Sequence, residues 1–244
     1  MPLGEAPAPR ACGSAPPASL ELSPASLIRL LQLASPALPI GAFAYSQGLE
    51  TAVETGAIRD EATARDYLLG VLDGGITYVE LPYLRRLHAA FVAGDTLAAE
   101  RWSERVLASR ETAERRHEDQ QLGRALARLL ADQGIAEGAA WHAHPAVTHP
   151  AAFALGGARF DVPEAALLVA FAFSWLENQV GALSRLVPLG QLAAQRVLAA
   201  VGGAISGAVA RAEALADDEL GGTLPGLSLA SAWHETQYTR LFKS

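Results

Sequence analysis

Residues 30–50 read LLQLASPALPIGAFAYSQGLE. An apolar helical pattern stops there at Pro36 and Pro39. Gly41 and Gly48 allow the chain to turn, and Tyr45, Ser46, Gln47 and Glu50 follow at the start of the next element. Proline ends a helix by removing an N–H donor and crowding the preceding turn, and glycine supplies the backbone freedom a tight turn needs. The stretch is therefore a helix–turn–helix connection carrying an unusual load of polar side chains.

The helical period continues on both sides. Upstream, Ser23 and Pro24 form an N-cap and first-turn signal, with Leu27, Leu30 and Leu31 on one face. Downstream, a second helix is expected from about Ala44 to Thr55, closed by Gly56. Asp60 caps a third, whose apolar side holds Tyr67, Leu68, Val71 and Leu72. Pro82 opens a fourth that ends at Gly94, and Asp95 caps a fifth. Residues 110–133 read as one helix, solvated in its first half and buried in its second. Residues 134–150 read as a loop. Pro163 opens a helix to about Val187, and after the Pro188 break another runs from Leu189 to Ala214.

With no strand alternation, repeat or heptad run, the expected fold is all-α, a single bundle-like domain of roughly eight to ten helices over 23–216. Residues 1–22, rich in Pro and Ala, are expected to form a disordered tail. Residues 217–226 (DDELGGTLPG) read as a linker and 227–244 as a flexible docking segment.

The chain has 244 residues, 50% apolar, with a formal net charge of −7. That balance disfavours nucleic acid and anionic membrane as partners. The runs 165–176 and 197–210 fall short of the ~20 residues that span a bilayer, so no membrane is expected. Cys12 is the one cysteine, which excludes a thiolate metal cluster and suits a cytoplasmic setting. No Gly-Lys pair occurs, so a phosphate-binding loop is ruled out. No nucleophile–base pair has a supporting motif, and the chain is not expected to be an enzyme.

Three groupings carry possible chemistry. His142, His144 and His149 fall within eight residues, but their spacing in a proline-containing loop fixes no metal geometry. They are the basis of one alternative, a metal-dependent hydrolase; a generic helical scaffold is another. RRHEDQQ (115–121) reads as a solvated charged face. Ser174, Asn178, Gly181 and Arg185 form a narrow polar stripe on an apolar helix, followed by Gln191 and Gln195 beyond Pro188. That seam pins helix register or lines an interface. Near the C-terminus, Leu229, Trp233, Tyr238, Leu241 and Phe242 are large apolar residues needing the core or a partner.

LLQLASPALPIGAFAYSQGLE (30–50), RLVPLGQLAAQRVL (185–198) and HETQYTRLFKS (234–244) together resemble the UreF family of urease accessory proteins, in the same order along the chain. Departures are small: Ala42 and Ala44 stand where the family more often has Gly and Ser, and Ala194–Gln195 where it has Gly-Gln. The resemblance implies a non-catalytic, all-helical chaperone for nickel insertion into apo-urease. It implies a homodimer that joins UreD (UreH in some organisms), recruits the GTPase UreG and regulates GTP hydrolysis. No cofactor is bound directly; nickel and GTP belong to the partner complex. The implied partner-binding residues are Tyr45, Ser46, Gln47 and Glu50 with Trp233, His234, Glu235, Tyr238, Arg240, Leu241 and Phe242. Gln191 and Gln195 fall near the implied dimer contact, with Ser174, Asn178 and Arg185 in the seam.

Overall fold

The computed structural model describes residues 22–244. Of the expected tail 1–22, all but Leu22 lies outside the described residues; Leu22 packs against the core. The chain forms α1 (Pro24–Leu33), α2 (Leu49–Glu54), α3 (Glu61–Val71), α4 (Glu80–Ala93), α5 (Thr96–Ala108) and α6 (Ala113–Asp132). It continues with α7 (Glu137–Ala143), α8 (His149–Arg159), α9 (Glu164–Leu186), α10 (Gln191–Gly202), α11 (Ile205–Ala214) and α12 (Pro225–His234). The described residues contain no strand, and the fold is all-α.

Side-chain caps set five of the twelve starts. Ser23 Oγ accepts from Ser26 N, Asp60 forms a reciprocal capping box with Thr63, and Asp95, Thr112 and Thr148 cap α5, α6 and α8. α9 is the central strut. Its buried face, including Leu167, Leu168, Phe171, Leu176 and Leu183, packs against α1, α3, α4, α8, α10 and α11. Phe171 meets Phe153 of α8 edge-on at 5.1 Å.

Twelve α-helices form among the described residues where roughly eight to ten were expected. The surplus has local causes. Residues 134–150 are not all loop: α7 forms because Gly138 lets it press onto α6, where a Cβ would lie 2.5 Å from the Ala127 carbonyl oxygen. The expected Leu189–Ala214 helix breaks at Gly203–Ala204 into α10 and α11. The expected 44–55 helix shortens to α2, because Gln47 (φ 56°) and Gly48 (φ 84°) adopt left-handed backbone that no α-helix accommodates.

Two stretches, Glu164–Leu186 and Gln191–Ala214, are longer than the runs read from sequence and reach bilayer-spanning length and apolarity, although the second is broken between α10 and α11. α9 is mostly buried inside the fold, as a core helix is. The expected linker is docked: Gly221 N donates to Tyr78 O at 3.0 Å, and Asp217 pairs with Arg86 at 2.9 Å. The expected flexible segment is folded as α12 and a chain end that runs back to the 44–50 turn.

Candidate functional site

The opening stretch and the C-terminal residues, almost two hundred positions apart, form one structure. Gly48 makes this possible. Its left-handed backbone suits glycine, and a Cβ there would come within 3.3 Å of Ala230 and Leu227 on α12. Ser46 is fully buried, and its N and Oγ donate to the Ser244 carbonyl oxygen at 2.7 and 2.6 Å. Gln47 N adds a third bond at 3.1 Å, and Lys243 N donates to Ala44 O at 2.8 Å. Ser244 Oγ in turn donates to Glu118 of α6 at 2.9 Å.

Glu50, on α2, is the centre of a second knot. Its Oε1 accepts from Leu241 N at 2.7 Å and its Oε2 from Phe242 N at 3.0 Å. His234, with no exposed surface, lies between two carboxylates: Nε2 is 3.2 Å from Glu50 Oε2, and Nδ1 is 2.8 Å from Glu114 Oε2 on α6. Arg240 donates to the other Glu114 oxygen at 2.6 Å, and Glu235 accepts from Glu114 N at 3.2 Å.

The polar stripe of α9 meets the same turn. Trp175 Nε1 donates to Gln47 Oε1 at 3.1 Å, while Gln47 Nε2 donates to Glu118 at 2.6 Å. Asn178 donates to Tyr45 O at 3.3 Å. Arg185 reaches Phe43 O and stacks on Phe242, 4.6 Å from the ring centroid. Ser174 bonds only within its own helix, to Phe171 O. Gln191 and Gln195 are exposed on α10 and take no part in the seam.

Tyr45, Ser46 and Glu50 thus face inward, not outward as the sequence reading expected, because the chain's own C-terminal residues cover them. Burial and the neighbouring Glu118 charge raise the Tyr45 hydroxyl pKa, keeping it neutral. Outward display belongs to other residues. Tyr238 is fully exposed, and Trp233, Leu241 and Phe43 are more than half exposed.

Behind the turn lies a cavity of about 90 Å³, partly open to solvent, walled by Ile76, Leu122 and Phe171 and by Arg115, His149 and Asn178. Its floor is a buried ion cluster in which Arg110 bonds Glu80 at 2.7 Å and Asp119 at 2.8 Å. Burial pulls the Arg110 pKa down, but Asp119 and Glu80 more than offset it and raise it.

The RRHEDQQ stretch is therefore not simply solvated: Glu118 and Asp119 are buried. The signal was present. Stepping back by four from Leu130 through Leu126 and Leu122 reaches Glu118 and then Glu114, so the apolar stripe of α6 runs straight into them.

The three clustered histidines do not converge. His142 bonds the Arg124 carbonyl, His144 lies 3.7 Å from Glu100, and His149 stacks against Phe171. Burial drops the His149 pKa to about 4, with Asp119 opposing and Arg110 adding to the shift. No group of three His, Cys, Asp or Glu able to hold a metal is present among the described residues. The metal-dependent hydrolase alternative has no assembled ligand set there.

A helical domain whose C-terminal segment is bonded into its own N-terminal turn defines the class: an all-α protein with its two ends tied together. The UreF family profile matches residues 58–202, more than half of the chain. Three relatives are each named urease accessory protein UreF. The one from Alkalilimnicola ehrlichii is 47% identical over 216 residues, covering 88% of this chain and 95% of its own. The one from Chromohalobacter salexigens is 47% identical over 222 residues, covering 91% and 96%. The one from Azoarcus sp. is 48% identical over 223 residues, covering 89% and 95%. The chain belongs to the UreF family of urease accessory proteins.

Proposed function

We propose that the protein acts without catalysis in the cytoplasm, as a chaperone for nickel insertion into apo-urease. It bridges UreD (UreH) and the GTPase UreG, and it regulates UreG's GTP hydrolysis. Nickel and GTP are cargo and substrate of the partner complex. The observation that carries the reading is the exposed row Trp233, Tyr238 and Leu241, with Phe43 beside it, held on a hydrogen-bonded frame. Large aromatic side chains fixed outward are the usual anchors of protein interfaces. The homodimer contact is assigned to α10–α11, whose outer face carries the uncharged Leu192, Gln195, Ala199, Gly203 and Ala210. Gln191 lies at the end of that face.

The test is co-purification with UreD of the native chain and of Tyr238→Ala and Trp233→Ala. Both side chains are exposed, so the variants keep the fold. A loss of at least about tenfold in UreD affinity is expected, as for interface hot spots. Unchanged binding would rule out docking through this row. The GTPase rate of UreG with the assembled complex then separates bridging from regulation; an unaltered rate leaves bridging alone.

A further inference from the structure

We propose that the outer stripe of α6, centred on Arg124 and Arg128, is an interaction surface for an acidic protein face. It lengthens the docking surface of the C-terminal segment, and it rests on the UreD reading above for the partner's identity. The chemistry comes from this chain's own arginines. Among the described residues, nine of them, such as Arg65, Arg85 and Arg240, meet a carboxylate within 4.0 Å. Three more, Arg29, Arg105 and Arg185, lie over aromatic rings. Arg59, Arg101, Arg116, Arg124 and Arg128 do neither, and three of these five sit on α6. Guanidinium groups are permanent cations, so this helix face carries a concentrated positive charge.

At about 100° per residue, His117, Gln121, Arg124 and Arg128 fall within about 60° of one another, and Arg116 flanks them. All five are exposed except Arg124, which is half-buried. The acids of α6 are engaged elsewhere. Glu118 and Asp119 are buried against Gln47 and Arg110, and Glu114 holds Arg240. Asp132, four residues past Arg128, makes no ion pair among the described residues. Arg124 and Arg128 are themselves four apart, where like charges oppose each other and weaken a helix. A local penalty with no compensation inside the fold marks a position shaped for a contact outside it. Arg240 touches the helix at Glu114, so about 21 Å of α6 separates the C-terminal segment's anchor from Arg128. The fitting partner presents carboxylates about one helical turn apart, each taken by paired guanidinium N–H donors. An extended polyanion fits poorly, because the chain's net charge of −7 repels it.

The test is the association rate of the full-length chain with UreD, measured at low and at high ionic strength. The stripe variant joins Arg124→Glu with Arg128→Glu. The control joins Arg59→Glu with Arg101→Glu, the same change in net charge on exposed arginines away from α6. At low salt the stripe variant is expected to associate at least about tenfold more slowly than the control, and to lose most of its salt dependence. Arg124→Lys with Arg128→Lys keeps the charge and is expected to keep the steering of the native chain. Equal rates in the stripe variant and the control overturn the proposal. Tyr238→Ala probes the aromatic row separately: a loss of binding there alone overturns the stripe and leaves the row, and a loss in the stripe variant alone does the reverse. Capture of a DNA duplex by the native chain, abolished in the stripe variant while UreD association is unchanged, also overturns it.

Discussion

Glu50 accepts from two backbone N–H groups, faces the His234 ring and is buried, so its replacement removes more than a surface charge. Glu50→Ala leaves two backbone N–H groups without an acceptor and His234 Nε2 without its partner. We expect it to lower unfolding free energy by about 3 kcal/mol, the scale for leaving buried hydrogen-bond donors unsatisfied, measured by urea denaturation. Arg110→Ala is expected to cost at least as much, because Glu80 and Asp119 remain buried without their cation. His149 acts through pH. Its pKa is depressed from 6.5 to about 4 in the fold, so the unfolded chain binds more protons between those values. The stability it contributes is full above 6.5 and is lost as pH falls toward 4. Urea midpoints across that range should show this component, and His149→Phe should remove it. At this scale the sequence named most of the cluster's outer members, Ser46, Glu50, His234 and Arg240. It missed Glu114, Glu118, Glu80, Arg110 and Asp119. Charges on a helix read as solvated until tertiary packing covers them, and only the continuation of the Leu122–Leu126–Leu130 stripe hinted otherwise.

Helix starts were legible because their signals are local: Ser23, Asp60 and Asp95 each cap the helix they were read to cap. α7 and the shortness of α2 were not. The first depends on Gly138 pressing onto α6 and the second on a left-handed Gln47 held by Glu118 and Trp175, both contacts between distant elements. α12 is positioned in the same way, by its crossing over Gly48. A side chain at Gly48 meets Ala230 and Leu227 and occupies a backbone conformation that L-residues rarely adopt. Gly48→Val is therefore expected to lift α12, raising protease cleavage after Arg240, while the far-UV helical signal changes little.

Across the whole molecule, removal of residues 227–244 is not a simple deletion of an arm. Phe242 belongs to the core, and Ser46 and Glu50 lose their partners when it goes. The truncated chain should show a lower Tm by several degrees, so its failure to bind UreD would not by itself locate the docking surface. The Tyr238→Ala variant separates the two effects. The all-α class was readable from helical periodicity and the family from three motifs, yet the folding-back of one motif onto another was not, since periodicity carries no information about partners far along the chain.

The bond between Ser46 and Ser244 spans 198 positions of sequence. On a ribosome adding about 5–20 residues per second, that separation corresponds to roughly 10–40 s. For that interval the nascent chain holds Ser46 and Glu50 without the residues that later cover them. The turn read first in the sequence is therefore finished last in time, and until then its carboxylate stands open to whatever else in the cell offers a pair of backbone N–H groups.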